Sequence, residues 1–202
     1  MLNFQPVTLA DKELINSYLT QLRPTIIEQS FNTLFPWQQP HAYHFAIFED
    51  WLLLRTTYQG RTSFLPPVGP EQNYARAVDA LAEYADELEL VLCFSEVTRP
   101  YAELLNRTRP EFFQTFSDRN AANYIYNIED LTNLSGKKYH AQKNLLNSFK
   151  RNYPGYQFRA VTPELLPLCR EQLAFWCEQN NSTSFPTLLQ ERVAIEQMFS
   201  HW

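Results

Sequence analysis

The sequence predicts an α+β fold, on three observations. Alternating apolar runs crowd between residues 43 and 65, amphipathic helical patterns lie on both sides of them, and 45% of the 202 residues are hydrophobic, 15% aromatic. Helices set apart from an antiparallel meander each bury one face in a common core. This composition is far from that of disordered segments, and the length suits one large domain or one domain with part of another.

Residues 3–9 read as a short strand, followed by a helix from Ala10 to Leu22 with Leu14, Tyr18 and Leu22 on one face and Pro24 after it. A second helical segment spans Ile26 to Leu34. Tyr43 to Phe48, Trp51 to Tyr58 and Thr62 to Leu65 form the expected meander, with Glu49-Asp50 and Gln59-Gly60 as its turns. Glu71 to Leu88 places Tyr74, Val78, Leu81 and Ala85 at helical spacing, and the wholly apolar Leu90 to Phe94 reads as a central strand. A helix follows from Pro100 to Phe113, with Pro110 breaking it, and Tyr124 to Ile128 returns as a strand. This order is the one expected of an acetyltransferase-type domain with a mixed sheet flanked by helices; other α+β layouts fit the same string.

The thirty-three residues from Leu131 to Pro163 hold six of the 17 Lys and Arg and none of the 22 Asp and Glu. The remainder is left with a formal charge of −11, so the segment marks where an anion can bind. Ser135 to Pro154 reads as one helix, opened by a Ser-Gly turn and closed by a proline that cannot continue the ladder. At 100° per residue Tyr139, Leu145, Leu146, Phe149 and Tyr153 fall on one side, and Lys137, His140, Asn144, Asn147 and Arg151 on the other. Lys143 and Lys150 lie near the boundary, where a long stem can cover apolar surface. The candidate anion-binding residues are therefore Lys137, Lys138, His140, Lys143, Asn144, Asn147 and Arg151. A solvated helix face is the competing reading. Glu129-Asp130 stand before this helix to cap it or to pair with its cations.

Other chemistries find little support. Cys93, Cys169 and Cys177 have neither disulfide-set nor zinc spacing and read as small buried hydrophobes. No apolar run approaches the roughly twenty residues of a membrane span, and no leader pattern opens the chain, so a cytoplasmic location is expected. Gly60, Gly69, Gly136 and Gly155 include no Gly-x-Gly cradle for a pyrophosphate, so no coenzyme A site is expected; nor is any other cofactor or a metal. His140 can exchange a proton near neutrality, yet no acid nearby in sequence orients it, and no catalytic residue is assigned. His41 and His44 read as surface or packing residues, and Phe31, Phe35 and Trp37 as core aromatics rather than an acyl pocket.

A weak internal echo repeats Phe4-x-x-Val7-Thr8 as Phe158-x-x-Val161-Thr162, each followed by an amphipathic helix. It suggests a first domain over residues 1–134, a basic connecting helix over 135–154, and over 155–202 the beginning of a second similar domain, incomplete as it stands. Leu188, Ile195, Phe199 and Trp202 would then form a stripe with little to cover it, completed by the rest of that domain or by self-association through the C-terminal helices.

Three blocks carry a family resemblance: Phe31-Asn32-Thr33-Leu34-Phe35-Pro36-Trp37; Phe64-Leu65-Pro66-Pro67-Val68-Gly69; and Tyr124-Ile125-Tyr126 through Glu129-Asp130-Leu131, Leu134 to His140, Lys143-Asn144, Asn147, Phe149 and Tyr153-Pro154. Together they resemble the family related to the phosphatidylglycerol lysyltransferase C-terminal domain. The resemblance implies tandem acetyltransferase-like domains, related to enzymes that move an aminoacyl group from tRNA to a lipid or a peptidoglycan precursor. Three positions depart from the family pattern: Ala141-Gln142 stand in place of a more basic pair, and Asn123 in place of an acid, which removes a charge and a general base. The resemblance implies the N-terminal part of an aminoacyl- or acyl-transferase-like protein, its basic helix meeting an aminoacyl-tRNA, an anionic small molecule or a lipid headgroup. The present chain alone is not expected to be a competent catalyst. The alternatives are a non-catalytic phosphate- or nucleic-acid-binding module, against which a pI near 5.4 argues, and a purely structural domain.

Overall fold

A computed structural model describes residues 2–22, 26–180 and 184–202. Two compact units make up the chain, a larger one of residues 1–116 with 166–202 and a smaller one of residues 117–165. The expected stop at Pro24 and the expected packing of the Leu22 side chain lie outside the described residues.

In the larger unit an antiparallel sheet runs in the order β1 (Gln5–Pro6), β2 (His44–Phe48), β3 (Trp51–Tyr58), β4 (Arg61–Phe64). The two tight turns set its register. Glu49, Gln59 and Gly60 all adopt positive φ, the backbone that two-residue hairpins demand, which opposes Phe48 to Trp51 and Tyr58 to Arg61. β1 is short because Pro6 has no N–H to offer, which confines it to an edge.

Both faces of the sheet are covered. On one side Phe45, Leu52 and Leu54 pack with Ile15 and Leu19 of α1 (Lys12–Leu19) and with Phe31 and Leu34 of α2 (Phe31–Leu34). On the other, Ala46, Trp51, Leu53 and Phe64 meet Ala77, Leu81 and Ala85 of α4 (Tyr74–Glu87). All four residues predicted to line α4 are at most 3% exposed, and each large one stabilises the unit by about 1.5–3 kcal/mol. α3 (Gln38–His41) precedes β2, and α5 (Arg99–Thr108) stops before Pro110 with Arg109 paired to Asp79. α8 (Leu166–Gln179) and α9 (Pro186–Ser200) pack together and are joined by the Arg170–Glu196 ion pair.

Several expectations are corrected here. The buried stripe of α1 is Ile15 and Leu19, whereas Leu14, 100° away, is 43% exposed. The segment from Ile26 to Leu34 is not one helix: Ser30 is extended, with its hydroxyl donating to the Ile27 carbonyl, and separates a 3-10 turn from α2. Leu90 to Phe94 is not a central strand. It makes a single parallel bridge to the sheet edge, Phe64 to Phe94, with Leu92 and Phe94 packed inward and Val91 85% exposed. Cys93 is exposed there and only Cys177 is fully buried; all three thiols are free.

In the smaller unit Tyr124 to Ile128 forms no strand. Tyr124 and Ile125 are exposed and unpaired, because β-branched and aromatic residues need a ladder partner and none of the described residues supplies one. The chain turns instead into α6 (Ile128–Asn133), whose first turn is capped by the Asn127 side chain accepting from the Glu129 N–H at 2.8 Å. Leu134 in the left-handed region and Gly136 at φ 87° lead to a 3-10 turn over Lys137–Tyr139 and then α7 (His140–Asn152). Residues 155–162 are irregular.

Candidate functional site

The sequence places the candidate residues on one helix from Ser135 to Pro154; the structure instead carries them on the 3-10 turn Lys137–Tyr139 and on α7, and gives that element two unlike faces. His140, Asn144, Asn147 and Arg151 follow one another at i, i+4, i+7 and i+11, so they form a single row along the helix, with Lys143 beside it. All of them are exposed, as is Lys137 in the preceding turn, and among the described residues none of Lys137, Lys143, Lys150 and Arg151 is in an ion pair. These donors are available to a ligand.

Lys138 does not join the row. Its ammonium lies 2.8 Å from the Asp130 carboxylate and over the Tyr139 ring, while the Tyr139 hydroxyl donates to the same carboxylate at 3.3 Å. The hydrogen bond from Lys138, with its charge and the Tyr139 hydroxyl in support, holds the Asp130 carboxyl below the usual carboxylate range, and Asp130 in turn raises Lys138. Asp130 thus pairs with a basic residue, one of the two roles expected of Glu129-Asp130, and orients the turn that opens α7.

The opposite face is not anchored as the apolar spacing suggests. Tyr139 is buried, but Leu145 is 72% exposed, and Leu146, Phe149 and Tyr153 are exposed as well. Phe149 gathers Tyr153 and Tyr156 at ring separations of 5.1 Å, a small aromatic cluster at the surface.

The larger unit carries further polar features. Burial pushes the Tyr43 phenol up to about 12, with Glu96 and Glu28 adding to it, and burial also raises Glu96. Arg55 on β3 is held by the Tyr84 hydroxyl at 2.6 Å and lies over the Phe4 ring. His41 stacks between Tyr43 and Tyr58, and burial lowers its pKa, in keeping with a packing role. A cavity of about 210 Å³ opens beside α2, with Phe31 and Phe35 as part of its lining. Among the described residues no cluster of His, Cys, Asp and Glu could hold a metal ion, and no helix is long and apolar enough to cross a membrane.

This α+β chain with its basic, acid-free helix has an identifiable kinship. The family model described as "Phosphatidylglycerol lysyltransferase, C-terminal" matches residues 20–202, and the chain belongs to that family. A crystal structure of a conserved protein of unknown function from Bacteroides thetaiotaomicron VPI-5482 superposes with a TM-score of 0.91 at 29% identity, over 98% of this chain and 67% of that one. No protein of curated function matches.

Proposed function

We propose that this chain is part of an aminoacyl- or acyl-transferase-like protein in which α7 and its leading turn bind an anionic substrate group, the phosphate of a lipid headgroup or of a tRNA end. The observation that carries the reading is the row of exposed donors on α7, without ion-pair partners among the described residues, in a chain of the phosphatidylglycerol lysyltransferase C-terminal family. Phosphatidylglycerol presents one phosphate, which neighbouring N–H donors of such a row can satisfy. An acetyltransferase-like ancestry is supported by the order of elements, four antiparallel strands, helix α4, then a parallel bridge at the sheet edge. The division into a first domain over 1–134, a connecting helix over 135–154 and the opening of a second domain over 155–202 belongs to the same proposal, supported by the repeated Phe-x-x-Val-Thr.

Lipid is favoured over tRNA by the exposed Leu145, Leu146 and Phe149 on the same helix as the cations, the pairing that lets a helix settle at a membrane interface. The test replaces Lys137, Lys143 and Arg151 together with Gln and measures binding to vesicles of phosphatidylglycerol, to vesicles of phosphatidylcholine and to tRNA. Each basic residue near an anionic surface contributes about 1 kcal/mol, so phosphatidylglycerol binding should fall ~100-fold in the variant and fade with salt. Equal binding of parent and variant to phosphatidylglycerol and to tRNA would leave α7 a charged linker.

A further inference from the structure

We propose that the cavity beside α2 is a binding site for a small aromatic monocarboxylate. It lies wholly within the larger unit, where the start of α1 and the end of α9 meet α2. Three features of its wall define the ligand.

The floor is aromatic. Phe31 and Phe35 are 5% and 8% exposed and stack with rings nearly parallel at 4° and 5.7 Å apart, and the His201 ring stands edge-on to Phe35 at 5.1 Å. Trp202, 60% exposed, and Met198 add apolar surface at the rim. A flat aromatic body gains from both face and edge contacts in such surroundings, and a thioether packs well against a ring edge.

The rim carries one charge. Among the described residues Lys12 is the sole lining side chain that is always ionised near neutrality, no Asp or Glu lines the cavity, and the Asn32 amide and the Trp202 indole N–H are the further donors there. Among the described residues neither Lys12 nor the Asn32 side chain has a hydrogen-bond or ion-pair partner, since Asp11 is turned to the Thr8 N–H and hydroxyl at 2.9 and 2.6 Å. A single ammonium with neutral N–H donors beside it matches a carboxylate; a phosphate dianion would leave charge uncompensated, and a ligand ammonium would be repelled by Lys12.

Size sets the last limit. About 210 Å³ lies below the ~300–1,000 Å³ of sites for drug-sized molecules, so the body is one ring with a short tether. The site shares no residue with α7, so this inference and the anion row on α7 stand or fall separately.

Met198 provides the readout, because the chain has only two methionines, Met1 and Met198. With methyl-labelled methionine, titration of the full chain with 3-phenylpropionate should shift the Met198 signal saturably. Hexanoate should bind more weakly and phenethylamine not at all. Lys12→Gln, an exposed change that leaves the core untouched, should weaken 3-phenylpropionate binding about threefold to tenfold. An unmoved Met198 signal, binding of phenethylamine or hexanoate as tight as that of 3-phenylpropionate, or an unaffected Lys12→Gln variant would each overturn the assignment.

Discussion

Helices α4 and α7 carry the same kind of message in sequence and receive opposite treatment in the fold. Each has an apolar stripe at helical spacing and a polar face. In α4 the stripe is shut away, with Leu81 and Ala85 at 0% exposure, while in α7 Leu145 is 72% exposed and Phe149 45%. The contrast extends to the units that contain them. Of the buried apolar residues, Tyr139 alone belongs to the smaller unit. Amphipathic periodicity therefore encodes a face and says nothing of whether a partner covers it. In α4 the face holds the fold together; in α7 it is surface, available to a lipid or to another protein segment.

Truncation should break or confirm this contrast with the largest effect. Leu81→Ala removes a side chain held among Ala46, Leu53 and Phe64 and leaves a cavity, so it should cost about 2–5 kcal/mol in denaturant unfolding. Leu145→Ala, at an exposed position, should stay within about 0.5 kcal/mol. Comparable losses at the two sites would mean that the α7 face is covered in solution.

The same distinction explains how much the sequence revealed. Turns were legible because Glu49-Asp50 and Gln59-Gly60 act locally, and the α4 stripe because four residues at one spacing agree. Leu90 to Phe94 misled because an apolar run looks alike whether it is buried on both faces or, as here, alternates at a sheet edge with Val91 turned outward. Tyr124 to Ile128 has strand composition without a strand to pair with. The charge row on α7 could be read from contiguous residues, but the diversion of Lys138 to Asp130 depends on the turn at Leu134 and Gly136. The cavity was beyond reach: Phe31 and Phe35 read as core, which they also are, and nothing local joins Lys12 to Met198 and His201 far along the chain.

Two glycines sharpen the comparison with an intermediate effect. A Cβ on Gly69 would lie 2.4 Å from Trp51 Cδ1 and 2.7 Å from the Asp50 carbonyl oxygen, whereas one on Gly155 in the smaller unit would meet nothing within 4 Å. Trp51 is 2% exposed, with its indole N–H donating to the Pro70 carbonyl at 3.2 Å, so it has no room to yield. Gly69→Ala should therefore cost about 1–3 kcal/mol by overpacking, and Gly155→Ala should be neutral or slightly stabilising through the unfolded chain. Equal midpoints for the two variants in thermal unfolding would contradict the tight packing under the β2–β3 turn.

The smallest expected effect concerns the ion pair that takes Lys138 out of the α7 row. Asp130 is held below its ordinary 3.8 chiefly by the Lys138 hydrogen bond, so its contribution is present above that value and is lost as pH falls through the lower folded one. Lys138 is raised above 10.5 by the same partner, so its contribution is present below that value and disappears as pH climbs through the higher folded one. Between those limits the pair is intact, yet both groups are solvated, and such pairs add little to global stability. Its effect should be local. Asp130→Asn removes the charge while keeping an acceptor for the Tyr139 hydroxyl, so global unfolding should hardly move. Hydrogen exchange at the amides of the 137–139 turn, corrected for its intrinsic pH dependence, should be faster in the variant at neutral pH and should converge with the parent in acid. Identical protection at neutral pH would show that the turn is held by Leu134 and Gly136 alone, leaving Lys138 free to join the row of exposed donors on α7.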